Sequence, residues 1–405
     1  MKTLEDILER FGPLTQAIDQ PHLWSPRAFV HHRLPWEADH PALSRWLRGL
    51  RLEQTLALEA DSLAFDGLDP TYERWAREFR ALTRMPSLAC APVMDHHHLR
   101  FRVPGRKWRQ VKAFIGALQH QQAFEALGAD HMVDWCAGHG HLGRTLSKVI
   151  ERPVRLVERQ GALAQRAQAL AQRVGTPARF VQADALTQEA WEHLNGASAA
   201  VGLHACGALT NALLTQGTAR GVGLLAVVPC CHHFLGHQTQ YRALSQHGRD
   251  AGVGWNHNAL RLSIADEIIA TEVERARRRQ ELAWRQGLDL ILRETSGQDQ
   301  YTQIGPLPTR LLRGTFEAFC RGAAEHKNLQ LPARWQHDHY EAHGHERARQ
   351  ARALGLVRAL FRRPMDLWQV LDRALFLIES GRSASVGKFC PADQTPRNLL
   401  IVSRE

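Results

Sequence analysis

No stretch of this 405-residue sequence stays apolar long enough to span a membrane, and the opening Met1-Lys2-Thr3-Leu4-Glu5-Asp6 holds no apolar signal core. Both absences predict a cytoplasmic protein with no membrane partner. Regular cysteine spacing is missing as well. Seven cysteines, an odd number in a long chain, form no disulfide framework and no Cys-x-x-Cys pair, so reduced thiols are expected. Nothing repeats internally. Acidic side chains are the scarcer charge: 41 Asp and Glu stand against 51 Lys and Arg, a formal net charge of +10. That surplus favours a polyanionic partner, RNA or DNA, although a basic surface also serves solubility alone. The 23 histidines add positive charge below about pH 6.5. A composition of 44% hydrophobic and 23% charged residues is that of a folded protein with room for roughly two to three domains.

What is present centres on residues 131–143. Met132 and Val133 read as the end of a buried strand, Asp134 follows at its tip, and Gly138, Gly140 and Gly143 fall in a Gly-x-Gly-x-x-Gly pattern ahead of the helical run Leu142, Leu146, Val149. A Cβ in such a turn keeps the backbone away from a nucleotide, though tight strand-to-helix turns also use glycine for steric reasons alone. A second strand, Val154–Val157, ends in Glu158, about twenty residues past the first glycine, where a carboxylate can accept both ribose hydroxyls of an adenosine. A third strand, Arg179 to Asp184, places Asp184 to meet an adenine amino group. A nicotinamide or flavin dinucleotide and S-adenosylmethionine both fit these features. Asp134 favours the second, because a carboxylate facing the glycine loop repels a pyrophosphate and suits the ammonium of a methionine moiety. Ala137 and Ala185 are assigned to the same pocket.

Residues 1–104 read as a mostly helical, proline-broken region, with one apolar face at Leu4, Ile7, Leu8 and Phe11 and another at Leu43, Trp46, Leu47 and Leu50. Asp95-His96-His97-His98 reads as a polar loop sooner than a metal cluster, since neighbours on a strand point to opposite faces. Residues 105–240 are expected to hold strands one to five. A basic helix comes first, in which Lys107, Arg109 and Lys112 either touch phosphates or form a solvated face over a core of Phe114 and Leu118. Strand four, Ala199 to Leu203, runs into His204-Ala205-Cys206-Gly207; strand five, Leu224 to Val228, runs into Pro229-Cys230-Cys231-His232-His233. Ligands of open parallel sheets sit outside the carboxyl ends of the strands, so these polar residues should gather around the cofactor. Residues 241–370 read as a helical, basic insertion that includes Arg275-Ala276-Arg277-Arg278-Arg279 and a histidine-rich patch from His337 to His345. Residues 371–405 supply a closing helix, begun at Met365, and strands six and seven. The expected fold is α/β: a Rossmann-like seven-stranded sheet whose last strand runs antiparallel.

Three motifs together, Val133 to Gly143, Leu203-His204-Ala205-Cys206-Gly207-Ala208-Leu209-Thr210 and Pro229-Cys230-Cys231-His232, resemble the class I methyltransferases that include methyltransferase-like protein 25 and the glutathione S-transferase C-terminal domain-containing protein. Asp372-Arg373 and Pro396-Arg397-Asn398 look like that family's closing segment. The Pro-Cys-Cys-His-His form is also similar to the tRNA acceptor-stem ribose 2′-O-methyltransferases, in which a Lys-x-x-Gln stretch precedes the first strand; Lys107 and Gln110 resemble it. The zinc-finger cysteine sets at the N-terminus of those tRNA enzymes are missing. The resemblance spans residues 105–240 and the last thirty or so, and implies S-adenosylmethionine as cofactor and RNA, tRNA or rRNA, as acceptor.

The candidate catalytic residues are His204, His232 and Cys231. Methyl transfer from a sulfonium is an in-line displacement, so a ribose acceptor needs alignment and a base, and either histidine closes a strand beside the cofactor. Cys206 and Cys231 instead occupy the strand ends from which base-methylating RNA enzymes attack a cytosine ring, without the Asp-Ala-Pro-Cys sequence of those enzymes. Lys107, Gln110, Cys230 and His233 are candidates for substrate binding. No metal site is expected: Cys206, Cys230, Cys231 and His232 suit zinc by type, but adjacent cysteines rarely chelate one ion. The double cysteine also reads as a small apolar strand cap. Methylation of a protein or small molecule, and RNA binding without turnover, are the alternatives. Oligomeric state has no signature in the sequence.

Overall fold

Short apolar runs punctuated by glycine and polar turns form seven strands: β1 Met132–Trp135, β2 Val154–Glu158, β3 Ala178–Gln182, β4 Ala199–Cys206, β5 Leu224–Cys230, β6 Ser383–Lys388 and β7 Leu399–Arg404. The computed structural model describes residues 1, 3–93, 98–125, 127, 131–264 and 270–405. Apart from His98, the Asp95–His98 stretch lies outside the described residues. The strands form one sheet in the order β3-β2-β1-β4-β5-β7-β6. The first five are parallel, and β7 runs antiparallel to both β5 and β6. This is the Rossmann-like α/β sheet expected. Strand order reverses between β1 and β4, which opens a crevice at their carboxyl ends.

The helical run read at Leu142, Leu146 and Val149 is the helix His141–Ile150, and the helix Gly161–Arg173 crosses from β2 to β3. A further helix, Ala208–Ala219, has no counterpart in the sequence reading. Its small and apolar residues lie all round, so no polar face marks its period, and Gly217 lets it sit directly on Leu225. Strand four was expected to stop at Leu203 and strand five at Val228. Both run on to their cysteines, with a register irregularity between Leu203 and Cys206. Strand three is shorter than expected, so Asp184 lies in the turn beyond it.

The helix Gly105–His120 buries Val111, Phe114, Ile115 and Leu118 in the core formed with Leu142, Leu146, Leu156, Val201, Ala226, Val228 and Leu400. Outward-facing Arg109 is exposed, whereas Lys107 is half-buried and Gln110 is 5% exposed, so the helix has a polar edge turned inward. At the far edge of the sheet, Pro86–Leu88 lies along β6. Leu88 N–H donates to the Lys388 carbonyl at 2.8 Å, and Lys388 N–H donates to the Pro86 carbonyl at 2.8 Å.

The chain divides into two compact units, each built from separated segments. One contains residues 1–19, 81–266 and 362–405 and holds the sheet; the other contains residues 20–80 and 267–361. The four consecutive segments read from the sequence therefore interleave. Residues 1–19 and 81–104 go with the sheet: Phe11 of the helix Leu4–Ile18 stacks on Trp368 of the helix Arg362–Glu379, with ring centroids 4.9 Å apart. In the second unit, helices Glu272–Ser296 and His337–Leu360 cross where Gly287 meets Gly344; a Cβ on Gly344 would come within 2.7 Å of the Gly287 nitrogen. Its core is Trp284, Leu288, Ile291, Phe316 and Phe319.

Candidate active site

At the tip of β1 the chain must turn sharply, and Asp134 is the group that fastens the turn. Its carboxylate is 2% exposed and accepts the Gly143 N–H at 2.8 Å. Burial pushes its pKa up to about 7; the Gly143 N–H and the nearby Lys107 ammonium oppose that shift, and Glu158 adds to it. The three glycines have different duties. A Cβ on Gly143 would run into Leu156 and Asp134, and one on Gly140 would meet Leu156 at 2.7 Å, so these two allow helix to approach strand. Gly138, at φ +56°, faces open space, and a ligand can come close only there.

Glu158, at the tip of β2, accepts the Gly138 N–H and the Gln160 N–H, each at 3.0 Å. Each carboxylate oxygen keeps capacity for another donor, as ribose hydroxyls require. Asp184 accepts the Leu186 N–H at 3.0 Å and faces Arg159 at 3.5 Å. Ala185 is buried beside it, and Ala137 N–H donates to the Val157 carbonyl at 2.9 Å. The pocket therefore fits an adenosine carried on a methionine: carboxylates at the tips of β1 and β2 and just past β3, around one open glycine.

The helix Gly105–His120 brings Lys107 and Gln110 to the same edge. Gln110 Nε2 donates to the Gln394 carbonyl at 2.6 Å, which leaves Oε1 as the acceptor facing His204 Nε2 at 3.1 Å. His204 therefore carries its proton on Nε2 and keeps the Nδ1 lone pair. Burial lowers its pKa to about 3, helped by the Lys107 charge, so the ring is neutral at working pH. Lys107 is itself shifted down by burial.

His232, the other candidate base, is walled in. Its ring is enclosed, with no side-chain surface exposed, and Nε2 pairs with Asp366 Oδ1 at 2.8 Å. Arg363 holds the other Asp366 oxygen at 2.8 Å and also donates to Asn398 Oδ1. Burial keeps His232 neutral, while the His232 and Arg363 bonds keep Asp366 ionised against its own burial. Such a ring fixes the loop after β5 instead of touching an acceptor. His233 is half-buried and packs its ring on His257 at 5.2 Å.

The thiols at the ends of β4 and β5 converge. Cys206 and Cys230 are paired across β4 and β5 with sulfurs 3.7 Å apart, and Cys231 joins them so that all three sulfurs lie within 4.8 Å. Hydrogen bonds from Cys206 and Cys230 hold the Cys231 thiol well below its usual range. Two residues of this edge lay within quoted motifs but were given no site role from the sequence. Cys136 turns the chain after β1 at φ +60°, and its thiol, pushed up by burial, lies among Glu158, Asp134, Cys206 and Asp184. Arg397, from the turn between β6 and β7, lies within electrostatic reach of His204, Cys231 and Asp366. Positive φ in a non-glycine residue is a costly conformation, and Cys136, His204 and Cys231 all adopt it at this one edge.

Beside the glycine turn, a hollow of about 400 Å³ is lined by Phe101, Arg102, His139, His141, Arg166 and Arg173 among others. Phe101 is 38% exposed, with the Arg173 guanidinium 4.4 Å from its ring centre. A separate cavity of about 430 Å³ lies behind His232, between the helix Ala208–Ala219 and the loop after β5.

Residues 106–238 match the family profile described as a methyltransferase domain. This segment is similar to methyltransferase domains. It covers β1 to β5 and every motif residue from Lys107 to His233. No curated protein matches the sequence. Among solved structures, the chain is similar to the Pyrococcus abyssi tRNA (uracil-54, C5)-methyltransferase in complex with S-adenosyl-L-homocysteine, with 15% identity, TM-score 0.23 and 29% of each chain covered. It is also similar to coclaurine N-methyltransferase bound to N-methylheliamine and SAH (17% identity, TM-score 0.27, 47% of this chain and 62% of that one). A third likeness is to the Streptomyces coelicolor geranyl diphosphate C-methyltransferase, with 18% identity, TM-score 0.23, and 40% and 65% covered. The chain thus spans less than two thirds of each of these proteins, and at such scores no chemistry is carried across from them.

Proposed function

We propose that the protein methylates RNA, at a ribose 2′-hydroxyl, from the carboxyl edge of β1 and β4. S-adenosylmethionine, when bound, supplies the methyl group on a sulfonium. Asp134 would hold its ammonium, Glu158 its ribose and Asp184 its adenine, with Ala137, Gly138, Gly140, Gly143 and Ala185 shaping the pocket. His204 Nδ1 is the lone pair positioned to take the acceptor proton, with Gln110 fixing the tautomer and Lys107 the local charge. Cys230 and His233 flank the acceptor side. The base-methylation route would instead draw on Cys231, whose thiol Cys206 and Cys230 hold well below its usual range.

The observation that carries RNA is the hollow beside the glycine turn. Guanidinium groups of Arg102, Arg166 and Arg173 suit phosphates, and an exposed Phe101 suits a base face, in a protein of net charge +10. A cytoplasmic RNA enzyme agrees with the reduced thiols; among the described residues no helix is long and apolar enough to cross a membrane.

The test is transfer of tritiated methyl from labelled cofactor into RNA, DNA, protein and small-molecule fractions. RNA should take the label and, after alkaline hydrolysis, release it in dinucleotides, because a methylated 2′-oxygen cannot attack the neighbouring phosphate. Label in mononucleotides moves the acceptor to a base. Label confined to protein or metabolites overturns the RNA reading, and no label with intact cofactor binding leaves an RNA-binding module.

A further inference from the structure

We infer that Cys206, Cys230 and Cys231 form a binding site for one thiophilic d10 metal ion, of the Zn2+ class, at the adjoining ends of β4 and β5. Separation in sequence hides the site, since one ligand comes from β4 and two come from the end of β5. Along a regular strand, neighbouring side chains point to opposite faces, which sets adjacent cysteines apart. Cys231 escapes that rule because its φ of +42° turns the chain back, and the irregularity between Leu203 and Cys206 brings the third sulfur level with the other two.

The dimensions agree with such an ion. Zinc–sulfur bonds of about 2.3 Å in a tetrahedron put sulfurs about 3.8 Å apart. Cys206 and Cys230 are at 3.7 Å, and the third sulfur lies within 4.8 Å of both, about one ångström beyond that spacing at most. Among the described residues no other group of three His, Cys, Asp or Glu ligand atoms comes together in this way.

The loop is built to hold the arrangement. Gly207 N–H donates to the Cys230 carbonyl at 2.9 Å, Phe234 N–H to the Cys231 carbonyl at 2.8 Å, and Ala208 N–H to the Phe234 carbonyl at 2.7 Å. A Cβ on Gly207 would strike that Phe234 carbonyl, so the tip of β4 is locked against the loop after β5. Three thiolates around a divalent ion leave one net negative charge, and Lys107 and Arg397 lie within electrostatic reach of Cys230 and Cys231. Cys231 is half-buried, so one ligand of the ion is within reach of solvent. On uptake, each thiol that is still protonated releases its proton to the buffer.

The test uses the reduced full chain with Co2+ and Zn2+ alone as probes. One Co2+ per chain should give a sulfur-to-cobalt charge-transfer band that Zn2+ abolishes. Cys206→Ser should weaken Zn2+ binding by more than about 100-fold, beyond the loss of an outer partner; Cys90→Ser should leave it unchanged. Without any substitution, Zn2+ should protect Cys206, Cys230 and Cys231 from iodoacetamide while Cys90 stays reactive. Absence of the thiolate band, alkylation unaffected by Zn2+, or a Cys206–Cys230 disulfide persisting in reductant overturns the site. None of these readouts depends on methyl transfer, so failure here is separable from failure of the RNA proposal.

Discussion

Asp134 sits at the point where cofactor binding and stability oppose each other. Its pKa of about 7 lies above the ordinary 3.8, so the cofactor-free fold keeps a proton that the unfolded chain releases. Stability therefore falls as pH rises from about 4 to about 7. Asp134→Asn keeps an acceptor for Gly143 N–H and removes that loss. Its melting temperature at pH 8 should rise while S-adenosylmethionine affinity drops at least about tenfold, as read by calorimetry. In the unsubstituted protein the affinity should weaken as pH falls below about 7, because the ammonium needs the carboxylate. His204, neutral well below that range, gives no titration near pH 6.5; Gln110→Leu should lower kcat by about tenfold or more with the cofactor Kd unchanged. Asp134, Gly138 and Glu158 were legible in the sequence because each belongs to a strand-tip pattern. Asp366 was not, and the site roles of Cys136 and Arg397 were not although their motifs were noticed, since their place at this edge comes from backbone turns and long-range packing that no local pattern encodes.

Elements at this edge hold because buried polar anchors tie them. Asp372 of the helix Arg362–Glu379 accepts from Tyr241 Oη at 2.6 Å, from Ser245 Oγ at 2.7 Å, and from the Leu244 and Ser245 N–H groups at 3.0 Å each. Replacing it with alanine strands those donors in the interior. Asp372→Ala should cost about 3 kcal/mol or more in urea unfolding, with the loop after β5 exposed to protease first. Strands were read well where apolar runs were continuous, as at Val154–Val157 and Leu224–Val228. Their ends were read short at Cys206 and Cys230, because polar and small residues at a strand tip resemble a turn. The helix Ala208–Ala219 escaped notice because its surroundings are apolar on more than one side.

At the scale of the whole molecule, charge and chain path matter more than any one motif. If RNA is the acceptor, raising salt from about 50 to about 200 mM should weaken binding by roughly 20-fold for about three phosphate contacts at the single-strand slope, and Arg102→Glu should reduce both affinity and slope. Filter binding across that range decides it. The surplus of basic residues was plain in the sequence, as was the alternation from β1 to β5. The sharing of residues 20–80 with 267–361 was not, because segments that meet through pairs such as Arg48–Gln350 and Arg352–Glu59 carry no mark of each other in sequence. A last consequence concerns the strip Pro86–Leu88 laid along β6. An open strand edge is a template on which further copies can polymerise, and this strip occupies the template. Leu88→Pro removes the amide that bonds Lys388, so warm solutions of that variant should scatter light hours before the parent protein does, even where both begin equally well folded.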